Sequence, residues 1–164
     1  MFLTLLLLGH TLISVAAIIA GIVVIADLLR GRDSGGLATV FLATALLTSA
    51  TGFLFPFTVF LPSHGTAIVA LVVLAATLPA RYSFRLAGPW RAIYAGGAVA
   101  SLFLLIFVAI AQAFGKVPSL RATAPTQSEP PFLITEGITL AIFVLLGVLA
   151  VRRFHPAASA YRPA

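Results

Sequence analysis

Five long apolar runs, separated by short stretches that hold most of the charge, organise this chain. They cover residues 3–29, 37–57, 63–81, 90–114 and 132–151, each close to the ~20 residues that carry an α-helix across ~30 Å of hydrocarbon. None alternates apolar with polar in the manner of a barrel strand, and backbone inside lipid must satisfy its own hydrogen bonds. The pattern therefore predicts an all-α integral membrane protein: a bundle of five transmembrane helices forming one domain over residues 1–164. Only Pro56, Pro62 and the apolar residues between them divide the second run from the third. A single long buried hairpin is expected there, with a re-entrant segment as the alternative.

Composition sharpens this picture. Of 164 residues 61% are hydrophobic and 9% charged, too little polar surface to cover a water-soluble fold. The net charge of +6 is carried by arginines placed at particular span ends. Arg30, Arg32, Arg81, Arg85, Arg91, Arg152, Arg153 and Arg162 fall on one side of the predicted bundle. Lys116 and Arg121 fall on the other, with Glu129. Basic residues are held back on the cytoplasmic side, so the N-terminus is expected outside, the C-terminus inside and the 115–131 loop extracytoplasmic. Anionic headgroups account for a basic rim of this kind, and nucleic acid is excluded as a partner. Cysteine is absent, which excludes disulfides, thiolate metal sites and cysteine nucleophiles. The first run has no basic segment before it and continues to Ile25, so it is expected to be a retained span and not a cleaved signal.

Polar side chains within spans are costly to insert and mark where function is to be sought. His10 lies about two turns into the first span, His64 opens the third behind a candidate Ser63 cap, Gln112 closes the fourth, and Glu136 lies about one turn into the fifth. All four belong to the outer leaflet of the predicted topology. His10, Ser14, Ala17 and Gly21 share one narrow helix face, and Thr44, Thr48 and Thr51 form a second polar stripe. Facing inward, the two stripes would enclose an outer pocket. Asp27 and Arg30 are expected to pair at i, i+3.

His10, His64, Gln112 and Glu136 are accordingly the candidate cofactor-binding set, with His10, His64 and Glu136 the candidate metal ligands. Imidazoles on facing helices are a means of holding haem b, and two histidines with a carboxylate suit a transition metal. For a shared haem the two histidines are mismatched by roughly 8 Å in upright helices, a gap that tilt would close. Phe53, Phe55, Phe57 and Phe60 at the end of the second span, and Phe103, Phe107 and Phe114 on the fourth, supply the walls of a slot for a flat ligand such as a quinone. The proline-bearing segment 112–132 cannot be one helix. It is expected to form a lid over the outer mouth, anchored by Val117, Leu120 and Phe132, with Lys116, Gln127 and Glu129 as its polar groups.

GFLFPF at 52–57, LPSH ending at His64, WRAIY at 90–94 and QAFGKVPSL…APTQSEPPF at 112–132 together resemble small uncharacterised bacterial multi-pass membrane proteins. The layout is more loosely similar to cytochrome-b-like helical bundles of unknown function. The resemblance implies a bacterial inner-membrane protein in contact with the lipid bilayer and brings no activity of its own. Two functions are expected from the residues: a redox-associated membrane protein whose outer pocket binds haem, a metal ion or a quinone, or a non-catalytic accessory subunit packing against a larger membrane complex or another copy of itself. No inverted repeat or broken helix pair points to a transporter. No motif names an enzymatic reaction.

Overall fold

The computed structural model describes residues 1–55 and 62–155. Pro56, Phe57, Phe60 and Arg162, which enter the expectations above, lie outside these described residues. The chain forms α1 (Phe2–Leu29), α2 (Gly36–Thr51), a 3-10 turn (Gly52–Leu54), α3 (Pro62–Tyr82), α4 (Trp90–Lys116), the short α5 (Pro118–Thr123) and α6 (Pro130–Arg153). Among the described residues no strand occurs. Five helices, spanning Leu3–Leu29, Gly36–Leu54, His64–Tyr82, Trp90–Lys116 and Pro130–Arg153, are long and apolar enough to cross a membrane.

The ends of these helices follow local chemistry. Pro118 opens α5, and Pro130 and Pro131 open α6, where a missing N–H costs nothing and φ is already helical. After α1 the chain reverses through Gly31, whose φ of +74° suits glycine and where an added Cβ would stand 3.1 Å from the Arg153 carbonyl oxygen. The second span ends earlier as an α-helix than its apolar run, tightening at Gly52 into the 3-10 turn. α3 begins at Pro62, one residue before the expected cap.

Size, more than polarity, separates inside from outside. The core is rich in small residues, among them Ala17, Ala38, Ala80, Ala95, Ala98 and Ala150, while Leu5, Leu12, Ile19, Ile22, Val72 and Ile138 are exposed. Helices in lipid gain nothing from hiding large apolar groups from one another, so close backbone approach decides their packing. Gly21 illustrates the point: a Cβ there would stand 2.7 Å from Phe41 Cε2 and 2.8 Å from Leu102 Cδ1. The small-residue face of α1 thus seats it against α2 and α4. α4 is the central element and touches α1, α2, α3, α5 and α6.

One end of the bundle collects both aspartates and most of the basic residues. Asp27 lies 3.8 Å from Arg30 and 3.3 Å from Arg32, and accepts a hydrogen bond from Ser34. The expected i, i+3 pair is therefore one arm of a larger cluster. Arg81 bonds both oxygens of Asp33 and the Gly35 carbonyl, with its guanidinium 5.1 Å from the Tyr94 ring centroid. Tyr94 in turn packs on Phe154 at the end of α6. This clamp ties the α1–α2 turn, α3, α4 and the end of α6 together.

Candidate functional site

At the opposite end of the bundle a cavity of about 550 Å³ is enclosed by α1, α2, the turn after α2, α3 and α4. Its walls are mainly aliphatic, with Leu7, Val15, Ile18, Leu74, Leu104 and Leu105 among them, and Phe55 adds an aromatic ring. The polar residues lining it are His10, Thr11, Ser14, Thr48, Ser49, His64, Thr66, Ser101 and Gln112, with Lys116 at the end of α4.

His10 is held by two neighbouring elements. Its Nδ1 is 2.9 Å from Thr51 Oγ1 on α2, its Cε1 lies beside Gly52, and its ring meets Phe55 edge to face at 5.2 Å. Ser14, one turn along α1, donates to the His10 carbonyl at 2.7 Å and lies 3.4 Å from Thr48 Oγ1. The stripes expected on α1 and α2 therefore meet, but Thr44 does not share in this: its hydroxyl donates back to Val40 and Phe41 carbonyls. Ser49 takes its place on the cavity wall.

His64 is buried and rests 5.8 Å from the Phe53 ring, engaged with surrounding protein. Both histidines thus border the turn that follows α2. That turn carries Phe53 toward His64 and Phe55 toward His10.

Three of the four expected residues, His10, His64 and Gln112, line one cavity, and Glu136 does not. The reason is helical phase. Ser101, Leu105, Val108 and Gln112 face the cavity, whereas Gly96, Val99, Phe103 and Phe114 meet Val151, Gly147, Phe143 and Phe132 of α6. At 100° per residue these sets occupy opposite sides of α4, so a helix about 10 Å thick separates Glu136 from the cavity. Glu136 is buried on the same face of α6 as Phe132, 8% exposed, and neither carboxylate oxygen has a partner among the described residues. The proposed ligand triad His10, His64 and Glu136 is therefore not assembled. Among the described residues no group of three His, Cys, Asp or Glu side chains is gathered for a metal.

The connection after α4 also departs from expectation. Leu120 and Phe132 do anchor it, together with Phe114 and the buried Ala124, but Val117 is 42% exposed. Gln127 donates to the Ala111 carbonyl at 2.6 Å, latching the segment to α4. Glu129 accepts from the Thr126 hydroxyl at 2.8 Å and from the backbone N–H groups of Thr126 and Ser128. Against a desolvation penalty acting the other way, these bonds hold the Glu129 carboxyl below its ordinary value. No residue from 117 to 131 lines the cavity, so the segment braces α4 against α6 instead of covering the mouth.

Ser101 was not singled out by sequence. It is 2% exposed, faces the cavity, and its hydroxyl has no hydrogen-bond partner among the described residues. A lone hydroxyl in the apolar run of the fourth span was the available signal. Comparison with known proteins yields no match to a family model, a curated protein or a solved structure. The family resemblance remains an expectation from sequence motifs, and function is read from the cavity.

Proposed function

We propose that this protein binds a lipid-soluble ligand with a polar head, of the quinone and quinol class, in the cavity between α1, α2, α3 and α4. The observation that carries this reading is the placement of His10, His64 and Gln112 around a chamber that is otherwise mostly aliphatic. Sites for such molecules combine a large apolar lining with a few polar groups that fix orientation, in volumes of about 300–1,000 Å³. The orphaned Ser101 hydroxyl supplies a further polar contact deeper in the chamber.

The same residues fit a metal ion less well: a three-donor site lacks its carboxylate, because Glu136 lies across α4.

In this reading the arginine-rich end faces the cytoplasm of a bacterial inner membrane and the cavity lies in the extracytoplasmic half. The orientation is supported by Arg30, Arg32, Arg81, Arg85, Arg91, Arg152 and Arg153 at one end, against Lys116 and Arg121 at the other. The test is titration of delipidated protein in detergent with decylbenzoquinone and, anaerobically, with decylhydroquinone. Saturable binding of at least one form, lost in an Ala67→Phe variant that fills the cavity without altering a polar wall residue, is the expected result. Binding of neither form, or equal binding by the filled variant, would overturn the reading.

A further inference from the structure

The hydrogen bonds around His10 determine which of its nitrogens carries the proton. Thr51 Oγ1 has one proton and two short contacts: 2.7 Å to the Leu47 carbonyl and 2.9 Å to His10 Nδ1. A carbonyl oxygen can only accept, so the threonine proton goes to Leu47. The contact to the ring is then a hydrogen bond only if Nδ1–H donates it. Neutral imidazole with its proton on Nδ1 presents a lone pair at Nε2. No protein donor reaches that nitrogen among the described residues, and His10 lines the cavity.

We infer that the cavity selects a ligand whose head bears a hydroxyl, which donates to His10 Nε2, so that the quinol or phenol form binds ahead of the corresponding carbonyl or ether form. This rests on the ligand-binding reading of the cavity above. A carbonyl or ether oxygen placed at the same point would meet the Nε2 lone pair with no proton between them, leaving two acceptors facing one another in a low-dielectric site. Gln112 and Lys116 are donors near the end of α4 and serve a second oxygen on the ligand. Thr51 is a positioning residue: it touches the imidazole, not the ligand.

The experiment compares 4-decylphenol with 4-decylanisole, a pair that differs in the hydroxyl proton and undergoes no redox exchange under the assay conditions. The phenol is expected to bind about tenfold more tightly or better, and decylhydroquinone to outbind decylbenzoquinone in the same sense. Thr51→Val is expected to erode that ratio and Thr51→Ser to keep it, while His10→Ala abolishes it. Nitrogen-15 spectra of histidine-labelled protein, assigned with His10→Gln, provide a direct readout: Nδ1 protonated and Nε2 bare in the ligand-free state. Equal binding of phenol and anisole, or a proton found on Nε2, would overturn the inference and leave the ligand-binding reading standing. Failure of all four compounds to bind would overturn both.

Discussion

Arg81 and Asp33 meet in a two-pronged ion pair, Nη1 to Oδ1 at 2.7 Å and Nη2 to Oδ2 at 3.2 Å, with Arg81 5% exposed. A planar guanidinium matched to a carboxylate in this way fixes orientation as well as charge. Removing Asp33 takes the counter-charge from a buried guanidinium, which costs about 3 kcal/mol or more. Asp33→Ala is accordingly expected to lower the unfolding midpoint in detergent substantially, and Arg81→Lys to fall short of wild type because one ammonium cannot span both oxygens and the Gly35 carbonyl. Wild-type midpoints in both variants would show that the clamp does not hold the α1–α2 turn to α3.

Glu136 presents the opposite case. Its carboxyl is buried on the α4-facing side of α6 without a hydrogen-bond partner among the described residues, and such burial is destabilising. Glu136→Leu is expected to raise the unfolding midpoint, by an amount on the order of 1 kcal/mol or more, while leaving ligand binding in the cavity unchanged. A drop in stability would mean that a polar contact at this position is being lost, and altered ligand binding would mean that α4 does not insulate Glu136 from the chamber.

Orientation has a direct test because the chain lacks cysteine. Ser119, exposed on α5 at the cavity end of the bundle, is a suitable single site for Ser119→Cys. The introduced thiol is expected to react with an impermeant maleimide in intact cells. Reaction only after lysis would place the arginine-rich end outside.

The brace between α4 and α6 carries a pH dependence of known sign. Because the folded-state value of Glu129 lies below its ordinary one, its contribution is complete above the unfolded-state value, near ~4.3, and is lost as pH falls through the folded-state value. Protection factors of the Thr126 and Ser128 amides should be steady from neutral pH down to mildly acidic conditions and fall below that. Glu129→Gln is expected to reduce the neutral-pH protection and abolish the acid-dependent step. An unchanged acid step in that variant would assign it to another group.

Much of the fold could be read from the chain because lipid imposes a simple rule: a run of about 20 apolar residues must become a helix. All five span boundaries agree to within a few residues, and the expected end of the second, Phe57, lies outside the described residues. His10, His64 and Gln112 were identifiable because each is a polar group inserted in an apolar span, a choice that lipid penalises. Ser101 escaped notice since a hydroxyl in a helix ordinarily bonds its own backbone, as Ser49 and Thr77 do.

Sequence by itself determined five membrane-length helices, the segregation of most arginines to one end and the polar residues placed within the spans toward the other. Tertiary structure alone decided which of those residues meet. Depth along a helix follows from counting residues, but the direction a side chain faces depends on which neighbours α4 accepts on each of its sides. Packing of small residues put α6 behind α4, away from the chamber, and so parted Glu136 from the histidines; α2 and the turn after it brought Thr51 and Phe55 onto His10 and Phe53 onto His64, which no spacing rule within one helix could specify.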